Sequence, residues 1–474
     1  MIDYRRLRVA LLGAGAVGSQ VAALLLKHGD ELADRAGAAL ELVGIAVRDI
    51  DAPRDTELPP ELFTTDAETL IMGADIVIEL MGGIEPAKQY VLQAINSGAD
   101  VVTANKALLA THGPELFDAA DQVGAQVYYE AAAAGAIPII RPLRDSLAGD
   151  RVRRIMGIVN GTTNYILDRM DTEGADFSDV LAQAQQLGYA ESDPTADVEG
   201  YDAAQKAAIL ASLAFHTTVP LDAVHREGIT GIDKAMIDSA RHAGYVIKLL
   251  AVCERLAATN GGADAAGAAS ESISVRVYPA LIHRDHPLAS VHGANNAVFV
   301  EAEAAGNLMF YGAGAGGVQT ASAVLGDVVS AARRHIAGGV GVGESTLANL
   351  PLVPIGHVST RYQITLEVDD ETGVLATVAG ILSDGGVSVA TVEQTVITDS
   401  VAERPSSHRS APGSGTAKRD EALAGHHLGE EGGVARLVIG THTAREQDLS
   451  DTVDRLAASG VVERVVSVLR VEGE

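Results

Sequence analysis

Gly13, Gly15 and Gly18 stand between an apolar run, L-R-V-A-L-L (7–12), and a segment reading A-V-G-S-Q-V-A-A-L-L-L. A chain that turns sharply from a buried strand into a helix needs the first glycine for the turn. The second lets backbone approach a pyrophosphate, and the third lets the helix pack against the strand. Anions are favoured at the helix N-terminus, which Ala16 and Val17 open here. Further strand-like runs follow at 41–47, 76–80, 100–104 and 126–130, with an amphipathic helix at 88–98 closed by Gly98. Strands alternating with helices predict an α/β fold, a Rossmann-type doubly wound parallel sheet that binds a dinucleotide.

At 474 residues the chain is too long for a single core. We expect a dinucleotide domain over 1–140 and a second, α+β catalytic and dimerisation domain over 141–345, whose last helix returns to the first. Within the second domain, 151–159 and 272–280 read as strands. D-A-A-Q-K-A-A-I-L-A-S-L-A-F (202–215) and A-G-Y-V-I-K-L-L-A-V-C-E-R-L-A (243–257) read as long helices. A third region over 358–474 gives strand 361–368, helix 373–384, strands 387–397 and 435–442, helix 447–458 and strand 462–471. That order is the ferredoxin-like β-α-β-β-α-β unit. Residues 399–432 interrupt it with Ser, Pro, Gly and mixed charge, which predicts a disordered loop. His426 and His427 fall in this stretch and read as solvated rather than metal-bound.

The formal net charge of −28 disfavours nucleic acid and anionic membranes, so a phosphate ligand needs its own positive site. The lone Cys253 excludes an intrachain disulfide and argues against a cysteine-based zinc site. Arg5, Arg6 and Arg8 before an apolar stretch imitate a secretory signal, but three glycines break its helix and Lys27, Asp30 and Glu31 follow it. No stretch is long and apolar enough to span a bilayer, and a cytoplasmic protein is expected.

The second strand ends A-V-R-D, where Arg48 would accept a 2′-phosphate and Asp49 would bind ribose hydroxyls. The arginine favours NADP, and the aspartate leaves NAD open. T-A-N-K (Thr103–Lys106) follows the next-to-last strand of the sheet, which places Lys106 at the cleft beyond the strands' carboxyl ends. On the helix 202–215, Asp202 and Lys206 share a face with Ile209, Leu210 and Leu213. An exposed i,i+4 pair gives only about 0.2–0.5 kcal/mol, whereas burying a lysine costs several kcal/mol unless it is paired. Function resolves that imbalance: a buried lysine held by a carboxylate passes a proton to and from a substrate oxygen, the partner that hydride transfer at a carbonyl requires. Glu191, Asp193, Asp197 and Glu199 crowd the preceding loop and suit a substrate with an ammonium group.

Beyond G-A-G-A-V-G, the chain carries T-A-N-K-A-L-L, E-A-A-A-A-G-A-I-P-I-I, N-G-T-T-N-Y-I-L, G-Y-A-E-S-D-P-T-A-D-V-E-G-Y-D-A-A-Q-K and, after Tyr311, G-A-G-A-G. Together these resemble the homoserine dehydrogenases along nearly the whole chain, and the C-terminal unit resembles the ACT domain that many of them carry. The resemblance implies reversible NAD(P)-dependent interconversion of L-aspartate 4-semialdehyde and L-homoserine, on the route to threonine, isoleucine and methionine. It makes Lys206 the general acid/base with Asp202 in support, and Glu191 the holder of the substrate ammonium. Asp197, Gly161 and Thr163 join the substrate cleft, Lys106 lies between cofactor and substrate, and Thr103 and Gly316 join the cofactor set. It also implies a monovalent cation such as Na+ on the backbone carbonyls of Glu130, Ala133, Gly135 and Ile137. The resemblance further implies homo-oligomers, dimer or tetramer, through the second domain's sheet, and threonine as an inhibitor, with Gly373 at its site.

Two other readings compete. A thiol-ester aldehyde dehydrogenase would need Cys253 as nucleophile. A non-catalytic sensor would bind dinucleotide and amino acid but would have no use for a buried proton donor.

Overall fold

The computed structural model describes residues 5–54, 56–257, 271–338, 346–397 and 433–473. By packing, the chain divides into one compact unit of residues 1–358 with 472–474 and a second of residues 359–471.

The first unit opens with six parallel strands: β1 (Arg6–Leu12), β2 (Ala39–Ala46), β3 (Phe63–Thr64), β4 (Ile76–Glu79), β5 (Asp100–Thr103) and β6 (Val127–Tyr128). Their spatial order, β3-β2-β1-β4-β5-β6, is that of a dinucleotide-binding sheet, which reverses direction at β1 and β4. Leu7, Val9 and Leu11 of β1 are fully buried with Val21 and Ala22 of the helix Ala16–Lys27. The same core takes in Val324, Val328 and Ala331 from the helix Gly317–Ala337. The strand expected at 126–130 is cut to two residues because Glu130 starts a short helix, Glu130–Ala134.

A second, mixed sheet follows. It contains β7 (Val152–Ile158), β8 (His225–Arg226), β9 (Tyr245–Leu256), β10 (Ser272–His283), β11 (Asn295–Ala302) and β12 (Gly306–Ala313). Strands β12-β11-β7-β9-β10 are antiparallel neighbours, and β8 adds to β10 in parallel. Here the structure corrects the sequence reading: 243–257 is no helix, and Cys253 lies on β9. Val246, Leu250 and Val252 enter the core with Met156 and Phe299, while Cys253 Sγ lies 3.5 Å from Ala207 O of the helix Tyr201–Phe215. A strand covered on both faces has no reason to alternate, and an unbroken apolar run of that length imitates a buried helix.

In the second unit, β13 (Ser359–Asp369), a helix (Val374–Asp384), β14 (Val389–Ile397), β15 (Val434–Thr441), a two-residue β16 (Ala444–Arg445), a helix (Glu446–Ala457) and β17 (Val462–Glu472) follow in order. The antiparallel order β17-β13-β15-β14 matches the expected β-α-β-β-α-β arrangement. The loop expected at 399–432, with His426 and His427, lies outside the described residues.

Candidate active site

The turn after β1 divides its glycines by task. Gly13 has φ +99°, and a Cβ there would fall 2.7 Å from Leu80 O. A Cβ on Gly18 would fall 2.1 Å from Gly13 O, whereas one on Gly15 would meet nothing within 4 Å. Two glycines therefore serve the protein's own packing, and the middle one leaves open space before the helix that begins at Ala16 and Val17. Gly316 (φ +130°) precedes the helix Gly317–Ala337, and a Cβ on Gly317 would fall 2.7 Å from Ala16 O, so the two helix starts meet. Gly13, Gly15, Arg48, Asp49, Arg54 and Tyr90 line the cleft in front of the turn. Arg48 and Asp49 are exposed at its mouth. Arg54, which no periodic signal picks out, donates to Asp49 O at 2.7 Å and lies 4.3 Å from the centroid of the Phe63 ring.

The helix Tyr201–Phe215 places Asp202 and Lys206 one turn apart, 6% and 8% exposed. Lys206 Nζ lies 2.8 Å from Asp202 Oδ2 and donates to Val159 O at 2.6 Å, just past the end of β7. The other Asp202 oxygen, Oδ1, accepts from Lys106 Nζ. Lys106 is the first residue of the helix Lys106–Val123, whose Asn105 cap accepts from Leu108 N at 3.1 Å. Asn160 caps the helix Gly161–Glu173 through Oδ1 and turns Nδ2 to Asp202 Oδ2 at 2.9 Å and Asp197 Oδ1 at 2.7 Å. Burial opposes ionisation of Asp202, but Lys206 and Lys106 overcome it and hold its carboxyl well below the usual carboxylate range. Burial pushes the Asp197 carboxyl up, against the hydrogen bond from Asn160. The arrangement is a sealed carboxylate flanked by two ammonium groups, one buried and one with a side chain 41% exposed. It suits stabilising and protonating an oxygen that gains negative charge.

Known proteins share this sequence along nearly its whole length. Residues 13–130 match the homoserine dehydrogenase NAD-binding domain, and residues 138–329 match the homoserine dehydrogenase family itself. The homoserine dehydrogenase of Corynebacterium glutamicum is 51% identical over 466 residues, covering 98% of this chain and 95% of its own. The chain belongs to the homoserine dehydrogenase family. It is an oxidoreductase with a nucleotide-binding domain. A crystal structure of a homoserine dehydrogenase from Thiobacillus denitrificans is 35% identical with a TM-score of 0.82, covering 99% of this chain and 98% of that one. A hyperthermophilic archaeal homoserine dehydrogenase in complex with NADPH is 25% identical with a TM-score of 0.56, covering 71% of this chain and 99% of that one.

Other candidate residues for homoserine dehydrogenase chemistry fall less simply. Glu191 is exposed, and among the described residues no ion pair joins it to the Lys206 cluster; its backbone oxygen accepts from Gln185 Nε2 at 3.0 Å. A Cβ on Gly161 would fall 2.6 Å from Ala294 O, so the backbone there needs a glycine. Thr163 is 1% exposed, with its hydroxyl 3.1 Å from Asn160 O. The Thr103 hydroxyl, fully buried, donates to Glu79 Oε2 at 2.6 Å. Glu130, Ala133, Gly135 and Ile137 are all buried, in and just after a short helix. The Glu130 carboxylate accepts from Ile139 N, Ile140 N, Arg141 N and Arg141 Nε at 2.6–3.0 Å.

Cys253 is fully buried, and burial pushes its thiol up to about 12, so no thiolate nucleophile is available. Among the described residues no helix is long and apolar enough to cross a membrane, and no group of three or more His, Cys, Asp or Glu could hold a metal. Sequence reasoning took Asn160 only as part of the N-G-T-T-N motif and gave it no role of its own. N-G-T-T at a helix start signals a cap, but its second bonds, to Asp197 and Asp202, exist only once the chain is folded.

Proposed function

We propose that this homoserine dehydrogenase interconverts L-aspartate 4-semialdehyde and L-homoserine with NADP as the preferred dinucleotide, on the route to threonine, isoleucine and methionine. When bound, the nicotinamide supplies or accepts the hydride. Lys206 donates a proton to the aldehyde oxygen as negative charge gathers there, and takes it back in the reverse direction. Asp202 holds that lysine in place at 2.8 Å, while Lys106 brings a second ammonium group to the growing oxyanion. The acids of the 191–199 loop favour the substrate's ammonium group. The single observation carrying this reading is the buried Lys206–Asp202 pair at 2.8 Å.

Gly13, Gly15, Ala16, Val17, Gly18 and Gly316 would hold the pyrophosphate side of the dinucleotide, and Arg48 its 2′-phosphate. The open space over Gly15 fits that group. The cation is supported more narrowly: four donors already occupy the Glu130 carboxylate, so only backbone carbonyls of Glu130, Ala133, Gly135 and Ile137 would serve. Such an all-oxygen set fits a hard cation such as Na+. For the second unit we propose an ACT-type domain with threonine as effector, and for the whole a cytoplasmic homo-oligomer.

The test is a nicotinamide absorbance assay of the purified chain with L-homoserine and NADP or NAD, with and without threonine. Turnover supports the reading; tight dinucleotide binding without turnover would favour a sensor instead. Arg48→Ala should raise KM for NADP about tenfold more than for NAD, and an equal change for both would remove Arg48 as the phosphate reader.

A further inference from the structure

Glu79 ends β4 as the lone acid of an otherwise apolar strand, I-V-I-E, and is fully buried. Among the described residues its side chain meets no cation. Its partners are all donors: Oε1 accepts from Met81 N at 2.8 Å and Gly82 N at 3.3 Å, and Oε2 from the Thr103 hydroxyl at 2.6 Å. Burying a carboxyl group with no cation beside it is costly even when it is hydrogen-bonded, so its place here needs a reason beyond filling space.

The reason lies in what the two oxygens join. Leu80, Met81 and Gly82 wall the dinucleotide cleft on the side facing the Gly13 turn. Thr103, bound through the other oxygen, accepts from Asn105 N at 3.0 Å. Asn105 then donates Nδ2 to Gly83 O at 2.7 Å, closing a ring of bonds between the 81–83 segment and the turn before Lys106. Lys106 in turn reaches Asp202. One carboxylate thus ties the cleft wall to the turn that aims a lysine at the catalytic pair. All three partners donate to it: a glutamine with its oxygen on Met81 N and Gly82 N would turn an amide N–H towards the Thr103 hydroxyl, whose own hydrogen would then lose its acceptor.

We propose that Glu79 is a positioning residue, locking the 81–83 wall and the Lys106 turn in one register so that cofactor and lysine face the substrate together. This rests on the reading of the cleft and lysines given above.

The experiment compares Glu79→Gln, Thr103→Val and the double variant by kcat, KM for NADPH, NADPH binding by fluorescence and thermal midpoint. The expected result for Glu79→Gln is a loss of about tenfold in kcat with a rise of about tenfold in KM for NADPH. Thr103→Val should move both in the same direction by less, and the double variant should be no worse than Glu79→Gln. A folded Glu79→Gln with kcat and KM within about twofold of wild type overturns the proposal, as does an additive double variant. A residue that only stabilises would lower the thermal midpoint and leave the kinetics of the folded fraction unchanged. If Glu79→Gln does not fold, the same readouts on Thr103→Val decide. If wild type binds NADPH but never turns over L-homoserine, the proposed reaction fails instead, and the NADPH affinity of the variants still decides the role of Glu79.

Discussion

Lys206 and Lys248 are both buried in the first unit, at 8% and 2% exposure, yet they are held by opposite kinds of group. Lys206 faces the ionised Asp202 at 2.8 Å, with Lys106 on the far carboxylate oxygen. Lys248, on β9, donates to neutral oxygens, Asn164 Oδ1 at 2.9 Å and Val291 O at 2.7 Å. Burial pushes the Lys248 ammonium down to about 8, against the more distant Asp168 and Asp171. A buried lysine is thus not a proton carrier by burial alone. On neutral acceptors it tethers one segment to another, here the helix Gly161–Glu173 to the loop before β11. With a carboxylate sealed beside it and a partly open neighbour, it has the surroundings that the proposed proton transfer requires.

The largest effect should come from Lys206→Ala, which loses about 10²–10⁴-fold in turnover with NADPH affinity nearly unchanged. A variant keeping more than about a tenth of the wild-type rate would erase the contrast. Asp202→Asn comes next, with turnover down about 10–10²-fold, because two ammonium groups then share a site without their counter-charge. Kinetics at saturating cofactor test it, and a loss confined to substrate KM would make Asp202 a binding group only.

Lys248→Met should leave turnover within about threefold of wild type. Its signature is stability. Between about 8 and the usual 10.5, the folded chain binds fewer protons at Lys248 than the unfolded chain, so stability rises with pH across that window. Below the window both states carry the proton and the full burial cost applies. Lys248→Met should flatten that rise, an effect of about 3 kcal/mol at most, read from urea midpoints at a series of pH values. Parallel midpoints in wild type and variant would mean that Lys248 is not desolvated as described.

The contrast also marks how far the sequence could be read. Asp202 and Lys206 were legible because four-residue spacing within an alanine-rich run forces a shared helical face. The Gly13–Gly18 turn was legible because local sterics dictate it. Lys248 was hidden because its strand, covered on both faces, has the pattern of a buried helix. Asn160 and Glu79 were hidden for another reason. Each bonds partners 37 to 42 and 24 residues away respectively, pairings that no local pattern encodes. Glu191 is the converse case: its loop is conspicuous in the sequence, yet among the described residues its carboxylate pairs with no member of the lysine cluster.

The central claim is that the Lys206 amine itself moves the proton, and the most direct measurement is chemical rescue of Lys206→Ala. L-homoserine oxidation would be followed at saturating NADP while methylamine is added, with the amine-free variant and Lys248→Met as controls. The account predicts a rate that climbs with amine concentration in Lys206→Ala alone. A flat response in a variant that still binds NADP, or near-wild-type turnover without any amine, would contradict it.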